Sequence, residues 1–374
     1  MSKATEQATT LPTHGAATLP SVVVDSYNLE VEDEDGFVGD KASKGAFREI
    51  LEKWRKPLRD LGEDPLGDQP SDEISKSKLD ALLAKGEPEA AGVVQSAIED
   101  YAQQLAKVLR RFLRQKAWRE TEFIAVGGGF PASRLGRLAV GRAAVFLKAD
   151  GLPVELDLIR HHPDEAGLIG AGHLLPSWML AGHDAMLAVD IGGTNIRAGI
   201  VDLNQSRAKD LSKAQVVASE LWRHGDDEVS REEVIERLTG MLAGLVKAAK
   251  KMKLSLVPVV GIGCPGQIEP DGAIAAGAQN LPGNWESSRF NLPRAIREEI
   301  PQISGHETMA VMHNDAVVQG LSQLPFLQAY QRWSIVTIGT GLGNARFTNR
   351  APYGKDEVKK NGKSKAKEKD NNKG

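Results

Sequence analysis

The sequence predicts an α/β protein of two domains or lobes, on three observations. Its 374 residues exceed the roughly 100–200 of an ordinary single domain. Strand-like apolar runs alternate with segments whose apolar residues recur at helical steps. Twice, a strand-like run ends in clustered glycines and resumes as a second extended run.

The elements follow in order. Val94, Ile98, Tyr101, Leu105, Val108 and Phe112 recur at three- and four-residue steps, so 90–118 reads as an amphipathic helix. Phe123–Val126 reads as a short strand and runs into Gly127, Gly128 and Gly129. Residues 133–147 read as a helix, 154–159 as a strand and 164–180 as a helix. Met186–Val189 is the next strand, followed by Asp190 and a Gly-Gly turn, and Ile196–Val201 resumes extended structure. Helix 231–251 leads to strand Val257–Ile262. Strand Met309–Met312, helix 314–324 and strand Ser334–Ile338 precede a second glycine turn. No tandem repeat occurs at solenoid periods.

Composition narrows the function classes. A net charge of −3 gives no general bias toward polyanions, and 41% apolar residues supply a core. The single cysteine, Cys264, excludes an internal disulfide framework and Cys-rich zinc sites. No apolar run approaches the ~18 residues of a membrane helix, and the N-terminus carries no secretory h-region. A cytoplasmic protein with no membrane and no nucleic-acid partner is expected. Residues 1–20 are Thr-, Ala- and Pro-rich and 25–40 hold seven acids and no base, so 1–40 is expected as a disordered, acidic segment. Residues 351–374 hold eight lysines against four acids and are expected as a disordered, solubilising tail.

Five motifs carry chemistry. In Asp190-Ile-Gly-Gly-Thr-Asn-Ile-Arg-Ala-Gly199, Gly192 and Gly193 let the backbone turn tightly, so N–H groups can face a phosphate. Thr194 adds a hydroxyl, Asn195 leads back into a strand, and Asp190 can hold Mg²⁺. This is a hairpin, unlike a Walker loop, which opens a helix and needs a lysine. Gly339, Thr340 and Gly341, within Ile338–Gly343, form a second such turn. Asn314-Asp315 opens a helix, where the dipole favours the ionised carboxylate. Such a carboxylate can accept a hydroxyl proton during phosphoryl transfer. The plain alternative is an Asn/Asp helix cap.

The fourth motif joins Gly261–Gly266 to Gln279-Asn280-Leu-Pro-Gly-Asn284-Trp285. Amides beside a glycine loop suit a sugar, and a Pro/Gly-rich surface loop remains equally open. Cys264 reads as a packed residue. The fifth motif is Ile124–Phe130 with Asp164–Ala171 downstream, where Gly127–Gly129 allow a base or ribose close to the backbone. His161, His162 and His173 lack zinc spacing.

Together, Asp190–Gly199, Gly261–Gly266, Asn280–Trp285, Asn314-Asp315 and Gly339–Gly343 resemble the ROK group of repressors and sugar kinases. That group lies within the hexokinase–actin–heat-shock ATPase superfamily, and the resemblance spans roughly 42–348. Its order is unusual. A typical member runs first phosphate hairpin, sugar loop, Asn-Asp, second phosphate hairpin, long helix, Gly-Gly-Gly motif and closing helix. Here the last three come first, so the chain resembles a circularly permuted member. The family's Glu-x-x-His segment and its Cys/His zinc loop are missing.

The resemblance implies a two-lobed, RNase-H-like (actin-like ATPase) fold with a deep cleft for ATP, Mg²⁺ and a hexose, and no zinc. The larger lobe would comprise 41–183 and 313–350, and the smaller 184–312. It further implies Asp315 as catalytic base and Asn314, Asn280, Gln279 and Gly266 around the sugar. Asp190 would serve Mg²⁺. Gly192, Gly193, Thr194, Asn195, Gly339, Thr340 and Gly341 would cradle phosphates, with Gly127, Gly128 and Gly129 at the nucleoside. Glucokinase-like phosphorylation is the expected function, and a sugar-binding regulator without catalysis is the alternative. A homodimer stays open, because family members are often dimers.

Overall fold

The computed structural model describes residues 11–350. The chain opens with strand β1 (Val22–Tyr27) and helices α1 (Lys44–Asp60), α2 (Lys76–Lys85) and α3 (Pro88–Arg114). Strand β2 (Phe123–Gly127), helix α4 (Arg134–Ala149), strand β3 (Glu155–Leu158) and helix α5 (Pro163–Gly170) follow, and the short α6 (Ser177–Leu180) leads to β4 (Ala185–Ile191). Next come β5 (Ile196–Asp202), β6 (Gln215–Trp222), α7 (Arg231–Lys251), β7 (Leu256–Cys264) and α8 (Leu292–Glu299). Strand β8 (Met309–Asn314), helix α9 (Asp315–Leu321) and strands β9 (Arg332–Ile338) and β10 (Leu342–Asn349) complete the described chain.

Two five-stranded sheets organise these elements, in the orders β1-β10-β9-β2-β3 and β6-β5-β4-β7-β8. Both follow one pattern. Three strands pair antiparallel as a meander, and two more add in parallel beside the meander's first strand. In the second sheet the five strands run consecutively along the chain. In the first, the meander begins with β9 and β10, yet its third strand is β1, with Val22 opposite Asn349. This is the RNase-H-like arrangement used twice, the two lobes of an actin-like ATPase fold. Strand β2 pairs parallel with β9, Phe123 to Trp333 and Gly127 to Thr337, across some 210 residues of chain.

Period-two alternation on each strand splits the apolar residues between layers. On β4, Leu187, Val189 and Ile191 join the core under α7 and α8, while Met186 and Ala188 face a central layer. On β9, Val336 and Ile338 pack with α1–α4, while Trp333 and Ile335 face that same central layer. Helices α5 and α9 fill it between the sheets. Their approach is so close that a Cβ on Gly170 would collide with the carbonyl oxygen of Val318.

Local signals explain the clearest boundaries. Helix α7 coincides with its expected span because Ser230 and Glu233 form a capping box and Lys250 and Lys251 close the last turn. The expected helix 164–180 is broken instead. Helix α5 ends at Gly170 and a 3₁₀ turn continues over Ala171–Leu174, which Pro176 closes by biasing Leu175 to extended backbone (φ −101°, ψ 141°). The expected helix 314–324 stops at Leu321, short of Pro325, and 90–118 stops at Arg114.

The N-terminal expectation needs correction for residues 11–40. They are ordered: β1 extends the first sheet, and Val31 and Val38 are buried either side of a hairpin at 32–37. Lys41 neutralises the hairpin's acids, with Nζ 2.8 Å from both Asp33 and Asp35. Composition missed this because the acids stand out, whereas the few apolar residues that hold the segment, Leu19, Val22, Val24, Val31 and Val38, find their core only through distant strand pairing. The expectations for 1–10 and 351–374 lie outside the described residues.

The central layer sets a sharp packing test. Gly170→Ala should lower stability by about 1–3 kcal/mol, read as a fall in urea midpoint at unchanged slope. An unchanged midpoint would contradict the tight α5–α9 contact.

Candidate functional site

The two glycine hairpins open from the ends of equivalent strands. After β4, Gly192 N–H donates to the Asn195 carbonyl at 2.8 Å, closing the turn. His224 bonds Gly192 O at 2.9 Å, and Gly225 N–H donates to Thr194 O at 3.1 Å, which pins the turn from outside. Gly193 faces Asn280, with its absent Cβ 3.4 Å from the Asn280 Cβ. After β9, Gly339 N–H donates to Gly341 O at 2.9 Å, and Gly341 has open space where a side chain would be. Thr340 is exposed at this tip.

Gly127–Gly129 meet this second hairpin directly. Gly128 has φ +88°, and a Cβ there would strike the backbone of Ile338, so only glycine suits the position. Phe130 N–H donates to Ile338 O at 3.1 Å, which locks the two turns together.

Asp190 follows Met186 and Ala188 in the alternation, so its carboxylate points into the central layer. It is 8% exposed and sits against Gly167, where a Cβ would lie 2.5 Å from its Cγ. Arg197, its partner across the hairpin, stands 3.8 Å away and also pairs with Asp164 at the start of α5. Burial raises the Asp190 pKa and Arg197 opposes that shift. A desolvated carboxylate at the base of the first glycine turn fits Mg²⁺, which keeps waters and phosphate oxygens and needs few protein ligands. Among the described residues no group of three or more His, Cys, Asp or Glu gathers into a cluster that could hold a metal by side chains alone.

Asp315 is the first residue of α9, just past β8 of the same sheet, and its Cα lies 3.5 Å from where a Cβ would stand on Gly263, the residue opposite Asp190 on β7. Burial and the nearby Asp190 push its pKa up to about 7, against backbone N–H groups that lower it. This corrects the expectation from the helix dipole: desolvation and like charge outweigh the helix start. The strand before it is clamped. Asn314 N–H donates to His313 Nδ1 at 2.8 Å, so the His313 Nε2–H donates to Ala16 O at 3.2 Å. Buried His313 stays neutral, its pKa pushed down to about 4. Gly15 N–H bonds Met312 O at 3.0 Å, Met312 N–H bonds His14 Nδ1 at 3.1 Å, and Tyr27 packs edge-on against His313.

Asn314 takes the cap role that the sequence left open. Its Oδ1 accepts from Ala316 and Val317 N–H, and its Nδ2 donates to Gly266 O at 3.1 Å. One amide proton remains for another partner. Gly266 has φ +102° and backs onto Ala276. Gln279 and Asn280 are exposed on the adjoining loop, which Trp285 anchors through a 2.7 Å bond from Nε1 to Pro282 O. Cys264 is buried in the core of the second sheet. His162 caps α5, and His161 and His173 are half-buried.

The structure therefore brings the expected residues together as Gly127–Gly129 with Gly339–Gly341, Gly192–Asn195 with Asn280, Asn314 with Gly266, and Asp315 with Asp190. It also adds residues the sequence reading missed. His14, Ala16 and Tyr27 brace the Asp315 strand, and Gln319, one helical turn after Asp315, packs against Gly127. A His-Gly pair in a polar N-terminal segment carries no periodic signal, so nothing in the sequence marked it.

Residues 186–355 match the model of the ROK family. Both hairpins, the amide loop and Asp315 lie within this matched stretch. The chain is 24% identical over 164 residues to a glucokinase of Thermotoga maritima, spanning 44% of each protein. Among solved structures, the ROK hexokinase of Thermus thermophilus is 20% identical (43% of this chain, 45% of that one, TM-score 0.31). The Lmo2764 protein of Listeria monocytogenes is also 20% identical (44% and 47%, TM-score 0.31). The chain thus spans less than half the length of each relative. No helix among the described residues is long and apolar enough to cross a membrane.

The raised Asp315 pKa has a stability signature. A carboxyl with a folded value near 7 and an unfolded value near 3.8 holds its proton in the fold. Its ionisation therefore removes stability as pH rises between those values. Asp315→Asn should melt above the wild type at pH 8, with the gap closing toward pH 4. A gap that widens on acidification would contradict the shift.

Proposed function

We propose that this chain is an ATP- and Mg²⁺-dependent sugar kinase, phosphorylating a hexose or related sugar with Asp315 as general base. The observation that carries this reading is the meeting of two desolvated carboxylates, Asp190 and Asp315, in the layer between two glycine hairpins. Phosphoryl transfer demands mainly positioning and charge stabilisation. Asp315 would take the proton from the attacking hydroxyl, and a pKa near the working pH suits that role. The free Asn314 amide proton, Asn280 and Gln279 would orient sugar hydroxyls, with Gly266 shaping the floor. Backbone N–H groups of Gly192–Asn195 and Gly339–Gly341 would hold the phosphate chain, and Gly127–Gly129 the nucleoside. Mg²⁺ bound near Asp190 would neutralise charge on the phosphates. Closure of the two lobes would exclude water.

We also propose the circularly permuted reading. The matching sheet patterns support it, since the first sheet's third strand precedes its first two in the chain. Residues 41–183 and 313–350 would then form the nucleotide lobe and 184–312 the other. Strand β8 qualifies that division: it pairs within the second sheet while α9 leaves it for the central layer. On this reading the ion-paired hairpin at 32–37 would stand where the family has its zinc loop, and no zinc is included.

Asp315→Asn keeps size and donor capacity but cannot accept the proton, so turnover should fall ~10²–10⁴-fold with sugar affinity largely kept. The check is ADP release over a panel of hexoses and N-acyl hexosamines, alongside calorimetry with the accepted sugar. Near-normal turnover by the variant would remove Asp315 from the mechanism.

A further inference from the structure

We propose that Lys44, Arg48 and Lys76 form a cationic rim that grips the phosphate chain of a nucleoside triphosphate at the Gly127–Gly129 and Gly339–Gly341 turns. The inference rests on the kinase reading and names side chains that no motif marked. Lys76 Nζ donates to Gly129 O at 2.5 Å, which places an ammonium on the nucleoside turn. Lys44 N–H donates to Gly339 O at 3.0 Å, so the start of α1 is docked on the second phosphate hairpin. Arg48 lies one turn further on the same face of α1, and its Nη1 is held by Ser71 O at 2.8 Å. Burial disfavours the charged form of Lys76, and the nearby charges of Lys44 and Arg48 disfavour it further.

Three cations converge with little to balance them. Among the described residues none of the three forms an ion pair. The acids nearest Lys76 are Asp80 and Asp164, and both are engaged. Asp80 accepts the Arg134 and Leu135 N–H groups at 2.8 Å each, and Asp164 pairs with Arg197. Asp72 stands near Arg48 without bonding it. Mutual repulsion at a glycine turn costs stability, and a bound polyanion would offset it. A triphosphate spanning from the Gly127–Gly129 turn toward Gly341 passes this rim.

The test measures binding of MgATP and of inorganic tripolyphosphate by calorimetry at low and high salt, beside sugar phosphorylation. Lys44→Ala is the cleanest variant, because no hydrogen bond of its side chain is broken. Lys44→Ala/Lys76→Ala should weaken MgATP about tenfold and tripolyphosphate likewise, with sugar KM unchanged. The loss should shrink at high salt, and Lys76→Arg should restore binding. Unchanged nucleotide affinity in the double variant, with a wild type that binds MgATP and phosphorylates sugar, overturns the rim alone. Weakened MgATP with unaltered tripolyphosphate also overturns it, since the contact would then be to the nucleoside. A wild type that binds neither ligand overturns the rim and the kinase reading together.

Discussion

The hydrogen-bonded seam between β2 and β9 is the interaction on which the rest depends. Five residue pairs, from Phe123–Trp333 to Gly127–Thr337, join segments some 210 residues apart. Without β2, strand β9 has an open edge, and one side of the second hairpin is unsupported. The seam also brings Gly128 under Ile338, so the turn at 127–129 and the hairpin at 339–341 become neighbours. Strand β1 does the same on the other side by pairing with β10. The first sheet is therefore built from both ends of the described chain. Its loop-closure entropy is modest, because that cost grows only with the logarithm of loop length.

The second constraint is the thinness of the central layer. Gly167, Gly170, Gly261 and Gly263 let α5 and α9 lie almost on the strands and on each other. That closeness strips water from Asp190 and Asp315 and raises both pKa values. Packing and chemistry are thus coupled. The same small residues that join the two sheets create the desolvated carboxylates, and Arg197 offsets only part of the charge. The fold carries this electrostatic cost at the place where phosphoryl transfer would use it.

Much of the fold was legible because its signals were local. The strand-to-glycine transitions at Val189–Gly193 and Ile338–Gly341 announced hairpins, and Ser230, Glu233 and the Lys250–Lys251 pair bounded α7. Asp190, Asp315 and the glycine turns came from motif spacing. What stayed hidden depends on distant partners. The order of residues 11–40 comes from pairing with β8 and β10, which composition cannot show. Helix α1 holds Pro57 and a fully buried Arg55, whose charge is met 3.0 Å away by Asp64. Its apolar pattern is correspondingly thin. The direction of the Asp315 shift was misread for a related reason. A helix start is visible in sequence, whereas the proximity of Asp190 and the loss of solvent are properties of the folded layer.

The measurement that bears most directly on this account is the folding and activity of residues 181–374 expressed without 1–180. That fragment keeps the second sheet, Asp190, Asp315 and both hairpins, but loses β1, β2, β3 and α5. The account predicts an aggregated or non-cooperatively unfolding product with no sugar-dependent ADP release, and recovery only when residues 1–180 are supplied. A soluble fragment that unfolds cooperatively and phosphorylates sugar by itself would contradict it.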